Sequence, residues 1–285
     1  YTRERVVSQS ANSISATLSI PTPFAERFLQ VKDNPWILVT GHRRESFGSG
    51  MENICHALLQ VCDQFPMLGI LYPVHLNPRV QEPVSRLLAG HPRIALIEPA
   101  AYREFVWLME HCTLILSDSG GFQGMSLSQL RKLDENGVTF QSHIDGTKHL
   151  FTPKSVIDLQ HDFGTDIMMP LDICTPYPAT EEQTLKDLQI THAWEQEAAD
   201  YWRTKNTPQL LFAIVQGGMY PHLRDQSVEA LTKLDLPGYA IGGVSVGEGP
   251  EHMEAIVKYT APKMPTNKPR YVMGVGLPED LLMIW

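Results

Sequence analysis

Several strand-like runs in this chain stop at residues able to do chemistry. LILSD ends at Asp118 and is followed by Ser119, Gly120 and Gly121; DIMMPLD ends at Asp172; LLFAIVQ ends at Gln216 before two glycines; YAIGGV carries Gly242 and Gly243. A polar, glycine-bearing turn at the C-terminal end of a strand is where α/β proteins usually place their chemistry. Carboxylates and an amide at such positions offer acceptors and donors to a polar ligand. A different set follows strand WILVT. There GHRRES (41–46) joins a glycine turn to His42, Arg43 and Arg44 near a helix start, which puts backbone N–H groups and fixed positive charge where a pyrophosphate could sit. The four cysteines, Cys55, Cys62, Cys112 and Cys174, lack C-x-x-C spacing and partner histidines at finger spacing. They read as buried free thiols, with neither a disulfide framework nor a metal site.

The elements that must position these residues alternate. In the first half, strands 36–40, 68–74, 93–99 and 113–118 are separated by amphipathic helices 52–65, 78–90 and 102–111, a pattern that predicts parallel βαβ units with right-handed crossovers. Ahead of them, residues 1–30 form a Ser-rich lead-in in which FAERFLQ predicts a turn or two of helix. After Asp118 the texture changes. Residues 124–152 hold no long helix, and GVTFQSHIDG alternates like a strand bounded by glycines, which predicts a β-hairpin excursion. Alternation then resumes with helices 153–163, 181–205, 221–233 and 250–260 and strands 166–172, 210–216, 239–246 and 270–275. The polar ends of these strands would converge on one mouth, as in a (β/α)8 barrel.

Composition limits the function classes. At 285 residues, 43% hydrophobic and 19% charged, the chain is of globular type and long enough for one large domain or two ordinary ones. It has no membrane-length apolar run, which predicts a cytoplasmic protein. Ten basic and ten acidic residues lie through Ser117, while 13 basic and 22 acidic follow, so the whole net charge of −9 falls in the second half. Such asymmetry points to two parts of separate origin, and an acidic half is a poor nucleic-acid surface without a basic patch elsewhere.

Two resemblances sharpen this reading. VTGHRRESFGSGMENICHAL, YPVHLNP, EPVSRLL, FVWLM and LILSDSGG, in this order, resemble the C-terminal nucleotide-binding domain of non-hydrolysing UDP-N-acetylglucosamine 2-epimerases over residues 31–121. The resemblance implies a Rossmann-like sheet and a UDP-sugar ligand. His42 and Arg43 would meet its phosphates, Phe105 would lie near the uracil, and Ser119, Gly120 and Gly121 would hold phosphate. Gly124 and Met125 stand where that family has glutamates, and Ala100 replaces a uracil-side glutamine.

From 114 to 282, the runs SDSGGFQ, VTFQSHIDGTKHLFTPKSVIDLQ, DIMMPLDICTPYPAT, LFAIVQGG, GYAIGGVSVGE and PRYVMGVGLPEDLL resemble tRNA-guanine transglycosylases, which exchange an anticodon guanine for a 7-deazaguanine in queuosine biosynthesis. The implied partners are tRNA and guanine or a 7-deazaguanine. Base exchange at a ribosyl carbon passes through oxocarbenium-like states and needs one carboxylate as nucleophile and another as acid/base. By resemblance Asp118 is the acid/base group. Asp172, Gln216 and the Gly243 N–H read the guanine edge, and Phe122 and Met273 sandwich the base. Ile173 stands where that family usually has glutamate. The family's nucleophilic aspartate and its Cys/His zinc site align beyond Trp285. Taken as a unit, the 285 residues are therefore expected to carry most of the base pocket, no zinc, and no complete exchange activity. An incomplete epimerase-like isomerase and a non-catalytic nucleotide or purine binder are the alternatives.

Both families share the SDSGG turn, where the chain passes from one to the other. The expected architecture is a chimera: a lead-in (1–30), a Rossmann-like parallel sheet of the glycosyltransferase-B C-domain type (31–118), and an incomplete TIM-barrel fragment (119–285). Exposed sheet edges in such fragments invite homo-oligomers.

Overall fold

The computed structural model describes residues 10–31, 33–39, 49–113, 131–141 and 146–275. By its contacts the chain divides into two compact units, Tyr1–Ile115 and Leu116–Trp285.

In the first unit β1 (Trp36–Leu38), β2 (Gly69–Pro73) and β3 (Ile94–Ile97) form a parallel sheet in the order β1-β2-β3. They alternate with α2 (Ser49–Gln64), α3 (Pro78–Leu88) and α4 (Tyr102–His111) as the apolar periodicity requires. The period-two pleat sorts the strand residues between two cores. Ile70, Tyr72 and Ile94 pack with Cys55, Val84 and Leu88 on one face; Leu71, Ala95 and Ile97 pack with Trp107 and Leu108 on the other. The backbone groups of Trp36 point away from β2, because the β1–β2 ladder uses the Pro35 carbonyl and the Val39 N–H. Thr113 takes both: its N–H donates to the Trp36 carbonyl (3.1 Å) and its Oγ1 accepts the Trp36 N–H (2.7 Å). The chain therefore leaves α4 along the free edge of β1, the order of half a doubly wound sheet. The strand expected over 113–118 otherwise lies outside the described residues.

The Ser-rich lead-in is more than a connector. Ser10 caps α1 (Ala11–Thr17) by accepting the Ser13 N–H. A helical turn at Thr22–Phe24 runs into π-helical Ala25–Leu29. Ile14, Ile20, Phe24 and Phe28 are buried and close the second face of the sheet beside Trp36 and Leu71. Gly69 is required by this packing, since a Cβ there would stand 2.8 Å from the Phe28 ring.

The second unit begins with an antiparallel sheet of β4 (Arg131–Asp134), β5 (Gly137–Gln141) and β6 (Lys148–Phe151), the hairpin excursion expected from alternation. Its tight turn is held to α6 (Glu181–Lys205) by the Trp194 Nε1–H, which donates to the Glu135 carbonyl at 2.8 Å. Next comes α5 (Pro153–Phe163), started by a Thr152/Ser155 capping box and stopped by Gly164 at φ 71°. A parallel sheet follows: β7 (Ile167–Met168), β8 (Leu210–Val215), β9 (Gly238–Ile241) and β10 (Arg270–Val272), in strict sequential order β7-β8-β9-β10. Its helices are α6, α7 (Pro221–Thr232) and α8 (Pro250–Thr260). Sequential parallel neighbours are the ordering of a barrel wall, and the sheet is a curled arc of one.

Alternation again assigns the faces. Met168, Leu211, Ala213, Val215, Tyr239 and Ile241 pack outward against the helices, whereas Met169, Phe212, Ile214 and Ala240 form an inner cluster with Tyr271 and Met273. All four strands of this sheet end earlier than the sequence predicted, two of them by four or more residues. The run 239–246 ends as strand at Ile241, because Gly243 (φ 62°) and Ser245 (φ 59°) turn the backbone into the left-handed region. The run 166–172 pairs with β8 only through Ile167 and Met168. Beyond them Pro170 has no N–H to continue the ladder, and the Gln160 amide holds the other edge of the chain, donating to the Met169 carbonyl (2.7 Å) and accepting its N–H (2.9 Å).

Candidate functional site

The inner face of the arc ends in polar groups. Gln216 follows Phe212 and Ile214 on the inward rungs of β8, and Asp172 lies on the extended continuation of β7. Both are almost fully buried, at 2% and 5% exposure. The Gln216 Nε2–H donates to Asp172 Oδ2 at 2.7 Å, a hydrogen bond shortened and strengthened by the carboxylate's charge. Gln216 Oε1 has no hydrogen-bond partner among the described residues. A buried amide with one atom paired to a carboxylate and the other without a partner among the described residues is a donor and acceptor set suited to a polar planar ligand.

Gly242 and Gly243 are as much part of this site as the side chains. A Cβ on Gly242 would lie 2.6 Å from both Gln216 Nε2 and Ile214 Cγ2, and one on Gly243 would lie 2.3 Å from Gln216 Oε1. The glycines let the end of β9 pass directly beside the amide. Among the described residues the Gly243 N–H meets no acceptor.

The strand ends are fixed from behind by Arg224 of α7, which is fully buried. Its guanidinium donates to the carbonyls of Val215 and Gly242 (both 2.8 Å), Gly218 (3.0 Å) and Gly243 (3.3 Å). Burial pushes the Arg224 pKa down to about 10, opposed by the electrostatic effects of Cys174 and Glu248, so it stays cationic at neutral pH. Glu248 shapes the next turn by accepting the Ser245 N–H (2.5 Å) and the Val246 N–H (2.7 Å). Ser227, also on α7, accepts the Gln216 backbone N–H at 3.2 Å.

A cavity of about 360 Å³ lies beyond the strand ends, lined by Thr175, Tyr177, Gly218, Tyr220, Gly243 and His252, among others; it meets these groups at Gly243, while Asp172 and Gln216 are not in its lining. Thr175 is anchored through Asp187 (2.9 Å), and Tyr220 through its hydroxyl to the Ala179 carbonyl (2.9 Å).

The structure thus brings together Asp172, Gln216 and Gly243, and it places Met273 against the inner cluster beneath them. Asp118, Phe122, Ser119, Gly120, Gly121, His42 and Arg43 lie outside the described residues. Phe105 is half-buried on α4. The neighbouring Ala101 and Glu104 line a cleft of about 700 Å³ at the ends of β2 and β3. Cys55, Cys62 and Cys174 are buried and Cys112 is half-buried, all four as free thiols. Among the described residues no group of three or more His, Cys, Asp or Glu side chains could hold a metal ion, and no helix is long and apolar enough to cross a membrane.

Sequence reading missed Thr191, Glu195 and Arg224. Their signal was positional. Leu188, Thr191, Glu195 and Ala198 share the buried stripe of α6, and Arg224, Ser227, Val228 and Leu231 share that of α7. A charged residue inside an apolar stripe is a buried, committed group.

Comparison with known proteins finds two families. The profile described as queuine tRNA-ribosyltransferase matches residues 95–285, and that described as UDP-N-acetylglucosamine 2-epimerase matches residues 6–129. The two ranges overlap across the SDSGG turn. The chain is 54% identical over 168 residues to a queuine tRNA-ribosyltransferase of Ruminiclostridium cellulolyticum, covering 59% of this chain and 45% of that protein. It is 51% identical over 170 residues to the one of Dictyoglomus turgidum, covering 59% and 44%. To the one of Desulforapulum autotrophicum it is 42% identical over 224 residues, covering 79% and 56%. The chain spans about half the length of the curated relatives it matches.

Proposed function

The chain belongs to the queuine tRNA-ribosyltransferase family, and from that premise we propose that its second unit reads the edge of a guanine-type base in the exchange of an anticodon guanine for a 7-deazaguanine. The observation that carries this is the Asp172–Gln216 pair closed in by Gly242 and Gly243. Asp172 accepts two N–H donors from the base, as a carboxylate does with a guanine's amidine edge. The second N–H of the Gln216 amide and the Gly243 N–H donate to the base carbonyl. Met273, with Phe122 from the turn after Asp118, flanks the ring faces, and Asp118 is the acid/base group. tRNA is the partner that presents the exchanged base.

A second reading attaches to the first unit, where the match to the epimerase family and the cleft at the ends of β2 and β3 support a nucleotide of the UDP-sugar type. Calorimetric titration with guanine, with a 7-deazaguanine and with UDP separates the two. Guanine binding abolished by Asp172→Asn supports the base-reading site; UDP binding untouched by that change, without any guanine binding, overturns it. Radiolabelled guanine incorporation into tRNA reports whether these 285 residues carry exchange as well as binding.

A further inference from the structure

The base-reading residues sit where a parallel sheet has been pulled apart. β7 and β8 are paired at Ile167–Leu210 and Met168–Leu211 and no farther, yet the sequence runs on to Asp172 on one side of the gap and Gln216 on the other. The backbone groups released there need partners. Two side chains on one face of α6, four residues apart and therefore stacked one turn above the other, supply them. Thr191 Oγ1 accepts the N–H of Ile173, the residue after Asp172, at 3.0 Å. Glu195 Oε1 accepts the N–H of Ile214, two residues before Gln216 and on the same inward row, at 3.0 Å. Both side chains are fully buried.

We propose that Thr191 and Glu195 are positioning residues of the base pocket: together they hold β7 and β8 apart at the separation that lets Asp172 and Gln216 meet and present one hydrogen-bonding edge. This rests on the base-reading function proposed above and adds to it the part of α6.

The identity of Glu195 is the informative point. An apolar side chain would fill the same space, and replacing a buried charge by a well-packed apolar group is often neutral or stabilising. A carboxyl placed here serves the gap rather than the core. Its second oxygen, Oε2, has no hydrogen-bond partner among the described residues, so it is not held in place by a saturated polar network of its own. The charged group acting on it is Asp172, across the gap; no charged group of β8 or of α6 acts on it. Arg224, the buried cation of α7, is directed instead to the carbonyls of Val215, Gly218, Gly242 and Gly243. Burial, followed by the negative charge of Asp172, pushes the Glu195 pKa well up. A neutral Glu195 still accepts the Ile214 N–H.

The test uses the full chain with Glu195→Met, which matches shape and removes the acceptor, and Glu195→Gln, which keeps an acceptor without a charge. Guanine affinity is read by calorimetry, the unfolding midpoint by urea titration, and protection of the Ile214 and Ile173 amides by hydrogen exchange. Glu195→Met is expected to keep an unfolding midpoint close to the native one while losing at least about tenfold in guanine affinity and the protection at Ile214, an unsatisfied amide being the direct consequence of the change. Glu195→Gln restores both. Thr191→Val is expected to lose protection at Ile173 with a smaller loss of affinity. Guanine binding that survives Glu195→Met unchanged, or that falls only as far as stability falls, overturns the positioning role. Failure of the native chain to bind guanine at all, with Ile214 still protected, overturns the base-reading function on which it rests.

Discussion

Replacing Gly243 by alanine isolates what the glycine does for Gln216. The residue stands at φ 62°, a conformation that costs an L-residue roughly 1–2 kcal/mol. Its new Cβ would lie 2.3 Å from Gln216 Oε1 and 3.4 Å from Arg224 Nη2. Arg224 can remain where it is; Gln216 cannot. An exposed glutamine would simply swing aside, but Gln216 is 2% exposed, and turning its amide gives up the 2.7 Å bond to Asp172. Loss of a hydrogen bond to a charged partner costs about 1.5–3 kcal/mol, so the expected total is about 2.5–5 kcal/mol. Gly90→Ala is the control, since Gly90 has φ 82° with nothing within 4 Å of its would-be Cβ. It should lose only the backbone part, roughly 1–2 kcal/mol. Urea unfolding of the two variants measures the difference, and calorimetry with guanine should show Gly243→Ala weakened by at least about tenfold, the equivalent of ~1.4 kcal/mol. Equal destabilisation of the two variants, or guanine affinity unchanged in Gly243→Ala, would refute the reasoning.

Three further outcomes are expected. Arg224→Met strands the carbonyls of Gly218, Gly242 and Gly243, while that of Val215 keeps the Gly242 N–H; it should lower stability by about 3–5 kcal/mol, read as a shifted urea midpoint, because buried polar groups left unpaired carry their full desolvation penalty. Glu195, whose folded pKa lies well above its ordinary value of 4.5, ionises first in the unfolded chain, so its contribution to stability is present below pH 4.5 and is lost as pH rises from there toward the folded pKa, by up to about 1.4 kcal/mol per pH unit. Urea titrations between pH 5 and 8 should show Glu195→Gln gaining on the native chain as pH rises, and parallel curves would contradict this. Ile14→Ala, in the Ser-rich lead-in, removes a side chain only 1% exposed; the change should destabilise the first unit by roughly 2–5 kcal/mol, followed through the fluorescence of Trp36 and Trp107, and an unchanged transition would show that the lead-in adds nothing to that core.

The elements were largely legible because their signal is local. Strands such as LGILYPV and LLFAIVQ carry their apolar pattern within six or seven residues, and α5, α6 and α8 begin and end where caps and prolines predicted. Asp172, Gln216 and Gly243, singled out as polar or glycine positions at the ends of apolar runs, lie one to four residues past the ends of β7, β8 and β9, and two of them meet directly in the Asp172–Gln216 hydrogen bond. What was not legible depends on distant partners. The serine-rich composition around Ile14 hid a helix whose stability comes from burying that isoleucine against the sheet. The early end of β7 is signalled within DIMMPLD by Pro170, which has no N–H to give a ladder; what was not legible is that Gln160, Thr191 and Glu195, 9 to 19 positions away, supply the hydrogen bonds around it. Glu195 and Arg224 were passed over because acidic and basic residues in a helix are usually solvated, and only their place in the buried stripe sets them apart.

Charge separates the two candidate sites more sharply than shape. The cleft of the first unit is the larger of the two, yet among the described residues its lining includes Glu98 and Glu104 and no cationic side chain. Two carboxylates repel a pyrophosphate, so the described walls suit at most the neutral, nucleoside end of a nucleotide. The second unit inverts this arrangement. Its buried cation Arg224 is spent on backbone carbonyls, and its strand ends offer one buried carboxylate with one buried amide, a pair suited to the N–H donors and the carbonyl of an uncharged planar ligand rather than to an anion. A net charge of −9 placed wholly after Ser117 adds to the same preference. Under the proposed function, these strand ends would therefore hold the base rather than the tRNA backbone.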